Sequence, residues 1–397
     1  MAGGVPKLGE VFLSFQIILS LPRKGTGMAT PTLFHSLDLA GLRLDNRIVV
    51  APMCQYSAQD GCMTDWHLAH LSALALSGAA YVTIEASAVL PEGRISDKDV
   101  GLWDATTQAA MGDVVGRVKA LSGTPVLVQL SHAGRKASVE VPWLGGKAIA
   151  PGAPRGWQTM APSAVPFHDG DPAPQELDVA GLARVKQAFV EATLRAMDIG
   201  LDGVELHGAH GYLLHQFLSP LSNHRTDAYG GDLAGRMRFP LEVVEAVRAV
   251  LPADKPLVVR LSASDWVAGG WDLEQTVALS RELEARGASA IHVSSGGLHP
   301  AQAIPVGPNY QVPFARAVKQ AVGIPVIAVG LITEAQQAEA IVGMGDADLV
   351  ALARGILYDP HWPWHAAAQL GAKVRAPNQY MRSQPRLYPD LLKPLHG

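Results

Sequence analysis

The chain has 397 residues, 48% hydrophobic and 17% charged, enough apolar material for one large core or two ordinary ones. A formal net charge of −4 provides no basic field for nucleic acid or an anionic membrane surface, so partners of those kinds are not expected. Two cysteines, Cys54 and Cys62, match neither a disulfide framework nor a zinc knuckle, and fit a reducing, cytoplasmic setting.

The first apolar run, VFLSFQIILSL at 11–21, is shorter than the ~20 residues a membrane span requires. Lys7 alone ahead of it and Arg23-Lys24 behind it do not make a secretory signal. Residues 1–27 are therefore read as an upstream extension, with the compact domain spanning 28–397 and opening at MATPTLFHSLDLAGLRLDNRI. From residue 47 onward, eight short apolar runs alternate with amphipathic segments. They are RIVVAPM, AYVTIEASAV, PVLVQLSHAG, GVELHGAH, PLVVRLSA, AIHVSSGG, PVIAVGLI and DLVALARG. Rich in branched residues and lacking a polar face, they read as parallel strands buried on both sides. The intervening patterns, such as LDVAGLARVKQAFVEATLRAMDIG and DLEQTVALSRELEARG, read as helices ending at glycine.

Eight βα units predict a TIM-type (β/α)8 barrel, typically ~250 residues plus insertions. An open doubly wound sheet would want a Gly-rich turn after the first strand, where APMCQYS stands instead. Two insertions are visible, at about 135–177 after strand three and at 211–235 after strand four. Both fall on the C-terminal face, where barrel enzymes keep their sites, so they are candidate lids or walls, with Trp143 and Trp157 in the first. Polar residues at the C-terminal strand ends converge on one pocket: Met53-Cys54, Glu85-Ala86, Gln129 and His132, His207 and His210, Arg260, Ser294 to Gly297, Gly330, and Ala353-Arg354. Gly330 and Arg354-Gly355 suit the phosphate site that loops after strands seven and eight often form.

APMCQYS, HGAHGYLLHQFLSPLSNHRTDAYGG, VVRLSASDW and LARGILYDP, in this order over residues 30–385, resemble the Old Yellow Enzyme family of flavin enzymes. The likeness is to the branch with Cys after Pro-Met, which includes NADPH dehydrogenases and xenobiotic reductases. It implies a noncovalent FMN lined by Ala51, Pro52, Met53 and Cys54, with Cys54 tuning its potential and Ala86 behind the ring. It further implies Gln129 at the pyrimidine edge, Arg260 where negative charge collects on reduction, and Gly330, Ala353 and Arg354 at the phosphate. NADPH is the implied hydride donor, the implied substrate a small molecule with an activated C=C or nitro group, and the implied assembly a homo-oligomer, dimer or tetramer.

On that resemblance, His207 and His210 are expected to donate to one substrate oxygen and Tyr212 to supply a proton to the α-carbon, with Tyr56 as a second phenol in the wall. Glu205 is expected to point away from His207. Arg382 best matches a residue that in this branch enters the neighbouring subunit's site, and Leu331 and Leu387 stand where some relatives carry Trp, which should open the pocket. The larger iron–sulfur relatives are excluded, because their cluster wants four thiolates and the chain has two cysteines. Another chemical class remains possible on the residues alone: a metal-dependent hydrolase or aldolase using His207, His210 and a carboxylate such as Asp227. A non-catalytic flavin carrier would leave Tyr212 and the histidine pair without a task.

Overall fold

Strands whose two faces are both apolar need cover on both sides, and a sheet closed on itself inside a ring of helices supplies it. In the computed structural model, which describes residues 30–395, the eight apolar runs form such a sheet. The strands are β1 (Ile48–Val50), β2 (Tyr81–Ala88), β3 (Val126–Ser131), β4 (Gly203–Gly208), β5 (Leu257–Ser262), β6 (Ala290–Ser294), β7 (Val326–Ala328) and β8 (Leu349–Leu352). All are parallel neighbours in sequence order, and β8 closes onto β1 through Val350 opposite Ile48. Every residue of the eight strands is buried. The expected TIM barrel is thus present; the reading of residues 1–27 as an extension lies outside the described residues.

Two apolar layers result. Val49, Tyr81, Leu127, Val258, Ile327 and Leu349 fill the interior, joined from below by Leu39 and Leu44 of a short hairpin that plugs the barrel floor. The larger layer lies between strands and helices, with Phe189, Phe217, Phe239 and Trp271 fully buried. Aspartates start the helices Val179–Asp198, Leu233–Val250 and Leu273–Ala285, where Asp178, Asp232 and Asp272 each accept a backbone N–H from the first turn. Both insertions sit above the C-terminal strand ends as expected. The first carries little regular structure beyond a two-stranded pairing of Met160–Ala161 with Gln175–Glu176, and the second holds the one short helix Leu213–Leu218.

One device recurs at the opposite, N-terminal end. Asp202, just before β4, accepts the Val126 N–H that opens β3 at 2.9 Å and is paired with Lys119 at 2.8 Å. Asp348, just before β8, accepts the Val326 N–H that opens β7 at 2.8 Å and is paired with Lys319 at 2.9 Å. Each carboxylate ties the start of one strand to the preceding one and satisfies a backbone donor that no ladder reaches. Replacing Asp348 with Ala is expected to cost about 1–3 kcal/mol in urea unfolding, the penalty of one orphaned donor, while leaving ligand binding at the far end intact. A loss of ligand binding as large as the loss of stability would contradict this division.

Candidate active site

The HGAHGY segment leaves β4 by a backbone path that few residues tolerate. His210 has φ +58° and Gly211 φ +75°, which turns the chain sharply over the barrel mouth. A Cβ on Gly211 would lie 2.2 Å from the Gly297 carbonyl oxygen, and one on Gly297 would lie 2.6 Å from the His210 backbone, so the β4 and β6 loops cross where only glycine fits. Lys136, from the loop after β3, sits at the crossing and donates to His210 O at 2.9 Å and Gly297 O at 2.7 Å. Burial, and then Arg135, push the Lys136 amine down to about 8. His215 holds the turn from below: its Nδ1 accepts the Gly211 N–H at 2.9 Å, and its Nε2 lies 2.9 Å from the buried Asp265 carboxylate.

His207 and His210 come together in this frame. Their rings stand 5.0 Å apart, with His207 Nε2 3.3 Å from His210 Nδ1. Burial, followed by the nearby Arg260 guanidinium, drives both imidazoles well below their usual range, so each is neutral with a single proton. The Tyr212 ring packs edge-on against His207 at 4.7 Å, and the Lys136 ammonium lies 5.3 Å from the same phenol ring. Burial raises the Tyr212 phenol well above its ordinary value, with Cys54 and Tyr56 adding to the effect.

The opposite wall comes from β1 and β2. Cys54, Tyr56 and Tyr212 pack on Ile95, Ala133 and Ala137, so the first strand's loop and the HGAHGY turn share one apolar patch. Tyr56, at φ +50°, meets the exposed Trp143 edge-on at 5.8 Å. The register of β2 against β3 slips between Ile84 and Ala86, leaving Glu85 as an extra residue; the Ala86 backbone bonds to the Cys54 sulfur. Glu85 accepts the Gln55 N–H at 2.8 Å and faces His67 Nε2 at 3.2 Å. Burial, with Asp99 and Glu85 beside it, raises the Cys54 thiol well above its usual range and keeps it protonated.

Glu205 corrects the expectation that it faces away from His207. Alternation along a strand places positions two apart on the same face, and Glu205 lies inside the barrel beneath His207. Its carboxylate accepts from Gln129 Nε2 at 2.7 Å and from His292 Nδ1 at 2.9 Å. Burial works to raise its carboxyl, but His292 and Arg260 outweigh that and hold it low, so an ionised Glu205 balances the buried Arg260. Arg260 lies in register with His207 and His292 on its two neighbours, and its buried Nε has no partner.

Above Arg260 opens a cleft of about 350 Å³, within the range of cofactor sites, lined by His210, Ser294, Gly330, Leu331, Ala353 and Arg354 among others. Gly330 has φ +126°, and a Cβ there would meet Gln311 Nε2 at 2.7 Å. Leu331 lines the cleft at φ +50°, whereas Leu387 is 75% exposed and does not border it. Arg382 is exposed on the turn Asn378–Ser383. Trp157 lines a smaller adjoining cavity with Lys136, Phe167 and Tyr212, and donates its Nε1–H to Glu92 O at 2.9 Å. Tyr56, His210 and Leu331, three non-glycine residues in left-handed backbone, concentrate strain of about 1–3 kcal/mol each around one site.

Asp227 is bound by Arg225 through Nε at 3.0 Å and a second nitrogen at 2.6 Å, so it is not free to join the histidine pair. Among the described residues the grouping with metal-ligand spacing is instead Cys54, Glu85 and Asp99. Three site residues escaped the sequence reading: Lys136, Asp99 and Gln311. Lys136 stood four places past His132 in SHAGRK and could have been read as part of the β3 strand end; Asp99 and Gln311 arrive from loops with no periodic signal.

A model of the NADH:flavin oxidoreductase / NADH oxidase family matches residues 32–373. The chain is 43% identical over 352 residues to an NADPH dehydrogenase of Geobacillus thermodenitrificans, covering 88% of this chain and 98% of that protein. It is 40% identical to an NADH:flavin oxidoreductase of Gibberella zeae, covering 90% and 91%. Among solved structures, morphinone reductase superposes with a TM-score of 0.70 at 28% identity, over 88% of this chain and 92% of that one.

Asp99 yields a pH prediction. Burial raises its carboxyl from 3.8 to about 7, against hydrogen bonds from Ser96 that favour the ionised form. Between those values the folded chain holds a proton the unfolded chain has released, so the stabilisation is complete below pH 3.8 and is lost as pH rises through about 7. Buried imidazoles such as His132, held near 4 by burial, act in the opposite sense up to the ordinary histidine range. Asp99→Asn removes only the first contribution: its melting temperature relative to the parent should climb by on the order of 5 °C from about pH 5 to pH 8. A difference flat with pH would overturn the assignment.

Proposed function

The chain belongs to the NADH:flavin oxidoreductase / NADH oxidase family and is an oxidoreductase, and from that premise we propose that it is an FMN-dependent NADPH dehydrogenase acting as an ene-reductase. When bound, FMN supplies the hydride, received from NADPH and passed to the β-carbon of an α,β-unsaturated carbonyl or nitro compound. The residues present fit that group. Arg260 has a buried, unpartnered Nε at the floor of the cleft; Gly330 leaves space no side chain could share; and Arg354 and Ala353 border the outer end, suited to a phosphate. Ala51, Pro52, Met53, Cys54, Ala86 and Gln129 would complete the ring site.

The observation that carries the reading is the convergence of His207, His210 and Tyr212, with Cys54 and Tyr56 sharing the apolar patch of Tyr212 and His210 bordering the Arg260 cleft. Each has a task the geometry supports. Arg260 is a fixed cation where negative charge would gather, kept from being an isolated buried charge by Glu205. Cys54 meets the cofactor side as a neutral thiol. The histidines bind and polarise the substrate oxygen, and Tyr212 gives its proton to the neighbouring carbon. Burial makes that phenol a weaker acid than in water, so it surrenders its proton only to a strong base such as an enolate carbon held close.

Two measurements separate these roles. In anaerobic stopped-flow, Tyr212→Phe should leave flavin reduction by NADPH within about twofold and slow reoxidation by 2-cyclohexenone about 100-fold, as for loss of one general acid. Equal slowing of both halves would contradict the role. The double change His207→Ala, His210→Ala should weaken binding of phenols by about 10- to 100-fold through two lost hydrogen bonds. Purified protein that is colourless and releases no FMN on heating would sink the proposal altogether.

A further inference from the structure

The hydrogen bonds around the histidine pair run in one direction, because both ends of the chain are backbone groups. The Ala209 N–H can only donate, and it points at His207 Nδ1 at 3.2 Å. Neutral His207 therefore carries its proton on Nε2, which faces His210 Nδ1 at 3.3 Å and makes that atom the acceptor. The His210 proton then lies on Nε2, which contacts Ser294 Oγ at 2.8 Å. At the other end the Val329 carbonyl can only accept. It takes Gln311 Nε2–H at 2.9 Å, which fixes the Gln311 amide and leaves its Oε1 to accept from Ser295 Oγ at 2.6 Å and from Ser294 Oγ at 3.5 Å. Ser294 thus accepts from His210 and donates to Gln311. His210, Ser294 and Gln311 all border the Arg260 cleft, and Ser294 is buried.

In this arrangement the pair offers one free donor at most. His210 Nδ1 is a bare lone pair, and a substrate oxygen placed between the rings would meet one N–H and one repelling nitrogen. We propose that Ser294 is the positioning residue of a tautomer switch in His210: when an oxygen ligand arrives, the Ser294 hydroxyl turns from acceptor to donor, His210 carries its proton on Nδ1, and both histidines donate to that oxygen. One proton leaves Nε2 and one is taken up at Nδ1, both exchanged with solvent as the oxygen ligand enters, so the charge of the pair is unchanged. A hydroxyl suits the task because one atom both donates and accepts on rotation about a single bond. This deepens the ene-reductase reading and rests on it.

The test uses oxidised holoenzyme with 15N-labelled histidine and 2-cyclohexenone as the probe, in the absence of NADPH so that no turnover occurs. The N–H signal of His210 should reside on Nε2 in the free enzyme and on Nδ1 in the complex. A proton that stays on Nε2, or appears on both nitrogens, overturns the switch. Ser294→Ala should weaken enone binding about tenfold, equivalent to ~1.4 kcal/mol, and Ser294→Thr should restore it to within about twofold. Equal affinity of Ser294→Ala and the parent, or a threonine variant as weak as the alanine one, also overturns it. The His207→Ala, His210→Ala double variant distinguishes the two levels of the argument. If it loses enone affinity while Ser294→Ala does not, the switch fails and the role of the pair stands; if it binds enone normally, the role of the pair fails and the switch with it.

Discussion

The Lys136 ammonium holds the mouth of the barrel together. By donating to His210 O and Gly297 O it binds the loops of β3, β4 and β6 where two of their backbones pass so closely that only glycine fits. The position of His210 depends on that crossing, and Tyr212 follows two residues later as the residue preceding the helix Leu213–Leu218. The buried ammonium is set among carbonyl dipoles and aromatic faces, the rings of Phe167 and Tyr212 lying 4.6 and 5.3 Å away, with the Arg135 cation also acting on it. Burial and then Arg135 depress its amine, since dipoles and rings replace lost water less well than a carboxylate would.

Beneath the mouth, the interior is arranged around a largely buried charge at the floor of the cleft. Arg260 is balanced by Glu205, whose two oxygens are occupied by Gln129 and His292. A buried charge of this kind is tolerable only when paired and hydrogen-bonded, and breaking such a pair typically costs several kcal/mol. The network leaves the Arg260 Nε open. The floor of the cleft therefore presents cationic character upward while remaining nearly neutral as a whole, the combination a preorganised anion-stabilising site requires.

Strain, neutral imidazoles and a protonated thiol belong to the same design. Burial keeps His207, His210 and Cys54 uncharged, so they act through directed hydrogen bonds and contact, while charge is carried by other residues such as Arg260 and Glu205. Directional groups need a rigid frame. The left-handed residues Tyr56, His210 and Leu331 are held against their own preferences by the barrel and its crossed loops.

The order of apolar runs determined the architecture without help from tertiary contacts, because eight segments with no polar face and helical patterns between them have one common closed solution. The strand ends could likewise be located from the sequence, and with them His207, His210, Arg260, Gly330 and Arg354, since a barrel brings those ends to one mouth. What the sequence could not carry was direction and partnership. The side of β4 that Glu205 faces was available from alternation by twos, but its partners were not; the β2 slip at Glu85 had no signal in its residues, and the exposure of Leu387 is a property of the folded chain. Lys136, Asp99 and Gln311 reach the site from loops whose paths are set by backbone crossings and long-range hydrogen bonds. Sequence periodicity specifies which residues a regular element buries; only the folded chain decides which donors and acceptors those elements then bring within 3 Å of one another.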